Sequence, residues 1–500
     1  MKVMTEDYIA IISADDALAH ALASSLRRLG VFSQVFAPTV KIDQLQKACG
    51  VIFAQASLSK TCSQSDFDLP YIVLEENNKQ VLESFVTKTK CPRNWNMKAY
   101  LPIISERIKE IVGERSVFLL VSGGVDSTVA FVLLNRVLGT ERVLGLHIDN
   151  GLMRHNESQE VQDFLSKERI NNLQVVDASA EFLKKLKNKV APEEKRQIIG
   201  AEFLKVKDRE LAKLNLDPQK WMIAQGTIYP DIVESGEFNN EDLVKTHHNR
   251  VAEVYDLMEQ GLLLEPLAEL YKDEVRWLGE ELGIPHHLVW RHPFPGPGLG
   301  VRLLCSHGNF QDKLNIDEVP QLQEYLDQKS IDVELLALRS VGVSEEKRTY
   351  AQPLLINTQM SWEQYEKLST EILQKFPVIN RVVKLIGKSS AETFRIKEQY
   401  LQKNDLDILR KIDEVCTDFL YAENLYEEIW QMPVVLLPLT LDKKPVVVLR
   451  PVESTDAMTA KFCQIPLHLL DKLWVQLQNI GVGAAFYDIT HKPPGTIEWE

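Results

Sequence analysis

The sequence predicts an α/β protein built around a parallel β-sheet, with a smaller α/β unit before it and an α+β domain after it. The main observation is the run SVFLLV (116–121), which leads through the polar loop SGGVDS into the helix-like STVAFVLLNRVLG and the strand-like RVLGLHID. Strand, loop, helix and strand in this order form a βαβ unit, whose strands lie parallel in one sheet. A shorter alternation before residue 90, and less regular elements after residue 296, give the two flanking parts.

The first unit, residues 1–90, is predicted to be a small flavodoxin-like α/β domain. YIAIIS predicts a buried strand and ALAHALASSLRRLG an amphipathic helix that ends at Gly30. VFSQVFA, GVIFAQA and YIVLEE predict three further short strands, and TKTKCPRNWNM (87–97) a linker.

The second unit, residues 91–295, contains the βαβ segment. The helix-like LPIISERIKEIVG precedes it, and LQVVDA and WMIAQG predict further strands. Polar residues follow both runs, which is the arrangement that brings functional groups to the carboxyl edge of a parallel sheet.

The third unit, residues 296–500, follows the proline- and glycine-rich segment RHPFPGPGLG (291–300), which predicts a rigid turn at a domain boundary. Helices such as WEQYEKLSTEILQKF and the runs INRVVKLIG, VVLLPL and PVVVLRPV predict an α+β domain. FPVINRVVKLIGK and NIGVGAAFYDITHK each follow an amphipathic helix, which indicates two related subdomains.

Composition limits the partners and the location. The net charge of −14 argues against a broad surface for nucleic acid or anionic membrane, and no apolar run is long enough to span a bilayer. The start MKVMTEDYIA lacks the layout of a signal peptide. The six cysteines include no CxxC pair, which is typical of reduced thiols in a cytoplasmic protein.

The loop SGGVDS has the chemistry of a phosphate site. A loop between a strand and a helix presents free backbone N–H groups at the positive end of the helix dipole, and its glycines let a ligand approach closely. Asp126 would repel phosphate by itself, which suggests a bridging Mg²⁺ or a hydrogen bond to backbone. The lysine of a Walker loop is absent, and an ordinary glycine-capped turn is the alternative. The candidate ATP-binding residues are Ser122, Gly123, Gly124, Val125, Asp126 and Ser127.

The loop resembles the pyrophosphate loop of the ATP pyrophosphatase family, whose members adenylate a carbonyl oxygen before a nitrogen or sulfur nucleophile displaces AMP. Eight further segments are similar, in order, to the GMP synthetase family, and the resemblance covers residues 95–500. They are HIDNGLMRHNES (147–158), PEEKRQIIG (192–200), AQGTIYPDIVES (224–235), KTHHN (245–249), EPLAELYKDEVR (265–276), RHPFPGPGL (291–299), LRPVESTDAMTA (449–460) and KPPGTIEWE (492–500).

The resemblance implies a ligase of GMP and purine biosynthesis that converts ATP, XMP and ammonia to GMP, AMP and pyrophosphate through an adenyl-XMP intermediate, with Mg²⁺. It also implies a homodimer made by the C-terminal domain. An insert between Tyr350 and Val446 leaves the dimer arrangement open.

The resemblance also assigns site residues. Asp126 and Lys245 are the implied catalytic residues, Asp126 also the metal ligand, and Lys245 part of a mobile lid with His247 and His248. Without the resemblance, we would expect Lys245 to be a solvated surface lysine. The implied XMP-binding residues are Arg196, Gln431, Lys492 and Glu498, and the candidate site carboxylates are Asp231 and Glu234.

The first unit departs from the family, because it resembles only the beginning of a class I glutamine amidotransferase domain. Leu74, Glu75 and Glu76 stand where the cysteine nucleophile is expected, and His20 is the only histidine before residue 95. A nucleophile without a base is not activated. We therefore expect a degenerate glutaminase domain, with ammonia from solution or from a separate glutaminase.

A smaller departure lies in the third unit. Ala484 stands where the family often has arginine, and Arg381 holds the analogous place in the first half, so the division of XMP contacts between the halves stays open. Two other functions also stay open: an ATP pyrophosphatase acting on another carbonyl acceptor, and a non-catalytic nucleotide-binding paralogue.

Overall fold

The chain folds as two compact units. The computed structural model describes residues 7–55, 69–214, 216–217, 219–234, 261–310, 319–344, 347–387, 393–454 and 459–500. Unit 1 comprises Met1–His147, Val161–Gln174 and Asn215–Arg291, and unit 2 comprises Ile148–Glu160, Val175–Leu214 and His292–Glu500. The predicted division into 1–90, 91–295 and 296–500 stays a prediction.

Four parallel strands form the N-terminal sheet, in the order β2-β1-β3-β4. This is the start of the flavodoxin-like strand order, as the sequence predicts. Helix α1 begins where the Asp15 carboxylate accepts a hydrogen bond from Leu18 N at 3.1 Å, and the chain turns at Gly30, whose φ is 79°. The elements are β1 (Tyr8–Ile12), α1 (Asp16–Arg28), β2 (Ser33–Phe36), β3 (Ala48–Phe53), β4 (Tyr71–Val73) and α2 (Lys79–Thr89).

The second sheet has five strands in the order β7-β6-β5-β8-β9. Strand β5 pairs in parallel with β6 and β8, and β8 with β9, which confirms the predicted parallel sheet. The elements of this segment are α3 (Met97–Val112), β5 (Ser116–Leu120), α4 (Val125–Leu138), β6 (Val143–Asp149), α5 (Glu157–Lys167), β7 (Leu173–Asp177), α6 (Ser179–Leu186), α7 (Pro192–Leu214), β8 (Trp221–Ala224), α8 (Tyr229–Glu234), β9 (Leu263–Leu264), α9 (Lys272–Glu281) and α10 (His286–Val289).

Within unit 1 the two sheets share one apolar core. Ile12 and Phe53 of the first sheet belong to the same buried cluster as Val117 and Leu119 of β5. The predicted linker, 87–97, includes the end of α2, which extends through Thr89, and Trp95, which is buried at 7% exposure. Cys91 and Trp95 therefore anchor this connection to the core, while Arg93, Asn94 and Asn96 are exposed.

An eight-stranded mixed sheet dominates the C-terminal part. Its order is β11-β13-β14-β21-β18-β17-β15, with β12 paired to β13, and two short ribbons pair β10 with β16 and β19 with β20. The elements are β10 (Ser306–His307), α11 (Pro320–Asp327), β11 (Val333–Leu335), β12 (Ser340–Ser344), β13 (Lys347–Ile356), α12 (Trp362–Lys375), β14 (Ile379–Ile386), β15 (Arg395–Ile396), β16 (Glu398–Gln399), α13 (Lys403–Ala422), β17 (Val434–Leu441), β18 (Lys444–Leu449), β19 (Val452–Glu453), β20 (Lys461–Phe462), α14 (Leu467–Asn479) and β21 (Ala484–Asp488).

The centre of this sheet is duplicated. The antiparallel hairpin β12–β13 leads through helix α12 to β14, which pairs in parallel with β13. The hairpin β17–β18 leads in the same way through α14 to β21, parallel to β18. The two halves meet where β14 and β21 pair antiparallel, with Val383 opposite Asp488. The two similar sequence runs are thus the last strands of two β–β–α–β repeats.

In the described part of the chain, no helix is both long and apolar enough to cross a bilayer. The described cysteines Cys49, Cys91, Cys305, Cys416 and Cys463 are free thiols.

Candidate active site

The loop between β5 and α4 is held open by its own hydroxyl groups. Gly123 adopts a φ of 86°, a conformation that a residue with a side chain rarely takes. The Ser122 hydroxyl accepts from Gly124 N at 3.2 Å and lies 3.0 Å from the Ser127 hydroxyl. Ser127 and Thr128 donate to Gly124 O at 3.1 and 2.9 Å. These bonds fix the loop while the first N–H groups of α4 remain outside the helical ladder.

The side chain of Asp126 is bound by a lysine that sequence reasoning missed. Lys272 Nζ donates to both carboxylate oxygens, at 2.7 and 2.6 Å, and the two side chains are 40% and 28% exposed. Lys272 is the first residue of α9. A partly exposed ammonium therefore stands beside the N-terminus of α4, where a bound phosphate would meet it.

Two further segments border the loop. The Arg291 guanidinium donates to Gly123 O. A Cβ built on Gly226 would lie 3.1 Å from Ser127 N, so the segment after β8 packs closely against the start of α4 at this glycine. The neighbouring Gln225 Oε1 and Thr227 Oγ1 are buried, and among the described residues no hydrogen-bond partner reaches them. These polar atoms are suited to a ligand at the loop.

Asp126 fits the implied magnesium site in its chemistry. Mg²⁺ prefers oxygen ligands and is commonly held by one or two carboxylates together with substrate phosphates. Within the described ranges, no cluster of three or more histidine, cysteine, aspartate or glutamate side chains is arranged to hold a metal. A single carboxylate beside a phosphate loop matches a cation that arrives with a nucleotide.

In unit 2, Glu498 is a partly buried anchor point of the C-terminal tail, residues 492–500. Arg302 donates from Nε and Nη2 to its two carboxylate oxygens at 3.2 and 3.0 Å. Gln431 Nε2 donates to the same carboxylate at 3.4 Å and to Pro293 O at 3.0 Å. Two predicted site residues, Gln431 and Glu498, are therefore brought together. The sequence analysis missed Arg302, whose guanidinium orients Glu498.

Further charges surround this carboxylate. The guanidinium groups of Arg154 and Arg302 lie over the Phe294 ring, 4.4 and 4.8 Å from its centroid. Burial lowers the pKa of Arg154, although Glu157 and Asp413 oppose that shift. Burial raises the pKa of Asp413, although Arg302 and Arg154 oppose it.

The tail is fixed by a second arginine. Arg381, fully buried on β14, donates from Nη2 to Thr496 O and Glu498 O, both at 2.8 Å. Its Nη1 donates to the Asp488 carboxylate at 2.7 Å, which also accepts from Trp499 Nε1 at 2.9 Å. This network determines where the Glu498 carboxylate can stand.

Arg196 lies at the end of the same tail. Its Nη2 donates to the main-chain oxygen of Glu500, and the neighbouring Lys195, fully buried, forms an ion pair with the Glu500 carboxylate. Lys195 also donates to Leu303 O at 3.1 Å. Burial raises the pKa of Glu500, while Lys195 and Arg196 act in the opposite direction. Helix α7 thus contributes two adjacent cations near a tail that contains Glu498.

The remaining predicted residues have less defined surroundings. Lys492 pairs through its backbone with Ala460, with N–O distances of 2.8 and 3.2 Å. Asp231 accepts from Ile228 N at 3.1 Å at the start of α8. Glu234 lies in the same helix, and Lys245, His247 and His248 lie outside the described residues.

Comparisons with known proteins relate most of the chain to one family. Residues 418–499 match the family described as GMP synthase C terminal domain, and residues 97–227 match NAD synthase. A probable glutamine-hydrolysing GMP synthase of Leptospira interrogans serovar copenhageni is 40% identical over 90% of this chain and 76% of its own length. The corresponding proteins of Caenorhabditis elegans and Dictyostelium discoideum are each 32% identical over 86% of this chain, and over 70% and 69% of their own lengths.

Proposed function

Because the chain belongs to the GMP synthase family of ATP-dependent ligases, we propose that it aminates XMP to GMP through an adenyl-XMP intermediate, releasing AMP and pyrophosphate. The observation that carries the proposal is the loop of residues 122–127, which presents helix N–H groups beside the Lys272 ammonium. Such a site is suited to the pyrophosphate that leaves when ATP is split between its α- and β-phosphates.

In the proposed first step, the C2 oxygen of XMP attacks the α-phosphorus of ATP and the bond to the β-phosphate breaks. The N–H groups at the start of α4 bind the departing pyrophosphate, and Lys272 neutralises part of its charge. Mg²⁺, held by Asp126 and the phosphates, would supply further neutralisation when bound. Lys245 would add a cation from the segment outside the described residues.

In the second step, ammonia attacks C2 of the adenylated base, AMP leaves with the former C2 oxygen, and the nitrogen loses its extra proton. Arg196 is the proposed partner of the XMP phosphate, because a guanidinium matches phosphate oxygens. Glu498, Gln431 and Lys492 are the proposed contacts to the rest of the nucleotide. The pairing of Glu498 with Arg302 supports this role, since two hydrogen bonds from the guanidinium hold the carboxylate in one orientation.

The ammonia is proposed to come from solution or from a separate glutaminase. Burial raises the pKa of both the Cys49 and the Cys91 thiols, the opposite of what an activated cysteine nucleophile needs. His20 Nδ1 lies 3.0 Å from the Tyr271 hydroxyl, so it is engaged in packing rather than beside a thiol. Cys62 lies outside the described residues.

The test is GMP formation by the purified chain with XMP, ATP and Mg²⁺, in parallel with ammonium and with glutamine. We expect turnover with ammonium alone and one AMP released per GMP. Turnover with glutamine would overturn the proposed ammonia source. If AMP forms with another carbonyl acceptor but not with XMP, the substrate assignment is wrong, and nucleotide binding without turnover would indicate a non-catalytic paralogue. The homodimer and the cytoplasmic location stay predictions; sedimentation and cell fractionation measure them.

A further inference from the structure

We propose that the N-terminal α/β unit, residues 7–90, positions the phosphate-binding loop, and that Arg27 is the positioning residue. The proposal rests on the proposed function only in that the loop binds ATP. It gives the degenerate unit a role that does not need glutamine hydrolysis.

Arg27 lies in the last turn of α1, and its side chain reaches residues 269–274, at the start of α9. Its side chain is 3% exposed. Nη1 donates to Glu274 Oε2 and to Glu269 O, both at 2.7 Å, and Nη2 donates to Ser33 O at 3.0 Å. The pair of Arg27 and Glu274 is a buried ion pair that joins α1 to α9.

Four aromatic rings enclose this guanidinium. The centroids of Phe32 and Trp95 lie 4.7 and 5.3 Å from it, and those of Tyr271 and Tyr229 lie 4.8 and 5.6 Å away. Cation–π attraction is strongest for desolvated cations, so the enclosure stabilises the charged form together with Glu274. Trp95 Nε1 also donates to Glu274, which leaves the carboxylate fully engaged.

The contacts lead from Arg27 directly to the loop. The Glu274 oxygen that binds Arg27 also accepts from Tyr271 N at 2.8 Å, and Tyr271 is the residue that caps α9. The next residue is Lys272, whose ammonium binds Asp126. A helix terminus is fixed by its cap. The ion pair of Arg27 with Glu274 therefore fixes the position of Lys272, the first residue of α9.

A second route reaches the other side of the loop. Tyr229, the first residue of α8, stacks on Arg27 and donates from its N–H to Leu270 O at 2.9 Å. It follows the segment in which Gly226 packs against Ser127. Two of the segments that border the loop, one before α8 and one at the start of α9, therefore meet at Arg27.

The contact between Arg27 and the start of α9 is part of the buried core. Tyr271 belongs to the apolar core of the N-terminal unit, with Leu22 and Leu26 of α1. Replacing Arg27 by a neutral residue would leave the Glu274 charge buried without its cation, and the N-terminus of α9 would have to move to rehydrate it. The displaced element carries Lys272.

The neighbouring Arg28 provides a matched control. It also joins α1 to α9, through a 2.5 Å ion pair with Asp273, but its side chain is 54% exposed. Exposed ion pairs contribute little to the stability of a protein. Arg28→Gln therefore removes one charge and one contact between the same two helices without disturbing the cap at Tyr271.

The test measures ATP binding by the full chain, with Mg²⁺, by calorimetry. We expect Arg27→Gln to weaken ATP binding about tenfold and Arg27→Lys about threefold, because only part of the lost interaction with Glu274 reaches Lys272, and lysine keeps the charge. Arg28→Gln keeps the affinity of the natural chain, and XMP affinity is unchanged in all three variants.

An ATP dissociation constant within twofold of the natural value in folded Arg27→Gln would overturn the proposal, as would an equal loss in Arg28→Gln. If Arg27→Gln does not fold, Arg27→Lys decides by the same comparison. A purely stabilising role would lower the melting temperature and the active fraction but leave the dissociation constant unchanged. Failure of the chain to form GMP would contradict the proposed function and leave this comparison intact.

Discussion

Lys272 donates to both carboxylate oxygens of Asp126, at 2.7 and 2.6 Å, across 146 positions of sequence. The pair stands at the N-terminus of α4, beside the loop that is proposed to bind ATP. The ammonium thus has a partner before any phosphate arrives, which keeps its position fixed.

Lys272→Met should lower kcat/KM for ATP on the order of 100-fold, because one preorganised charge on a departing phosphate contributes on the order of 3–4 kcal/mol. The affinity for XMP should not change. Steady-state assays with each nucleotide varied in turn measure both effects. Lys109→Met, which removes an exposed lysine paired with Glu106 on α3, is the control and should be neutral. An equal loss in both variants would mean that Lys272 acts through net charge alone.

Arg302→Met should raise KM for XMP by about 10- to 100-fold and leave KM for ATP unchanged. The change removes both hydrogen bonds that orient Glu498, and truncating one partner of a buried pair is costly. Arg395, exposed on β15, supplies the matched Arg→Met control. A change in KM for ATP of the same size would show that the tail does not act on XMP.

The fold was easier to predict from sequence than the site. The strand before SGGVDS and the helix after it follow from local apolar runs, and the composition of the loop predicts a phosphate site. Lys272 and Arg302 were missed because each acts on a residue more than a hundred positions away, Asp126 and Glu498. Their segments, ELYKDEVR and GLGVRLL, read locally as a charged helix and a loop end.

The packing of the predicted linker is another feature that no local pattern reveals. Trp95 lies within 87–97 and packs against Arg27 and Glu274. The repeated β–β–α–β arrangement could be anticipated only as a similarity of two runs. Its antiparallel junction at Val383 and Asp488 is a tertiary feature.

Asp488→Asn should destabilise the protein by about 3 kcal/mol at neutral pH, the lower range for breaking a buried ion pair. Burial alone would raise the pKa of Asp488, but Arg450 and Arg381 hold it below the ordinary value. A carboxylate whose folded pKa is lowered contributes stability above its unfolded pKa, near 4, and that stability is lost as pH falls through the folded pKa. The free energy of unfolding, measured with urea, should therefore fall less steeply in the variant than in the natural chain as the pH is lowered from 7 to 3.

Asp442→Asn is the control for that experiment, because Asp442 is exposed in the turn between β17 and β18 and has a φ of 52°, which asparagine tolerates. Its unfolding free energy should follow the natural protein at every pH. Parallel curves for Asp488→Asn and the natural chain would show that the Asp488 carboxylate is not held by the two arginines.

Below the pKa of ammonium, the apparent KM for total ammonium should fall about tenfold for each unit by which the pH rises. Only the unprotonated form has a lone pair to attack C2, and its fraction grows about tenfold per pH unit in this range. The prediction rests on the proposed ammonia source, which the raised pKa of both described thiols in the N-terminal unit supports. Initial rates between pH 7 and pH 9, with XMP and ATP saturating, test it. Cys49→Ala should give the same profile, since that thiol has no part in the reaction. A KM independent of pH would mean that ammonium itself is bound and deprotonated at the site, and a glutamine-supported rate abolished by Cys49→Ala would restore a glutaminase role to this unit.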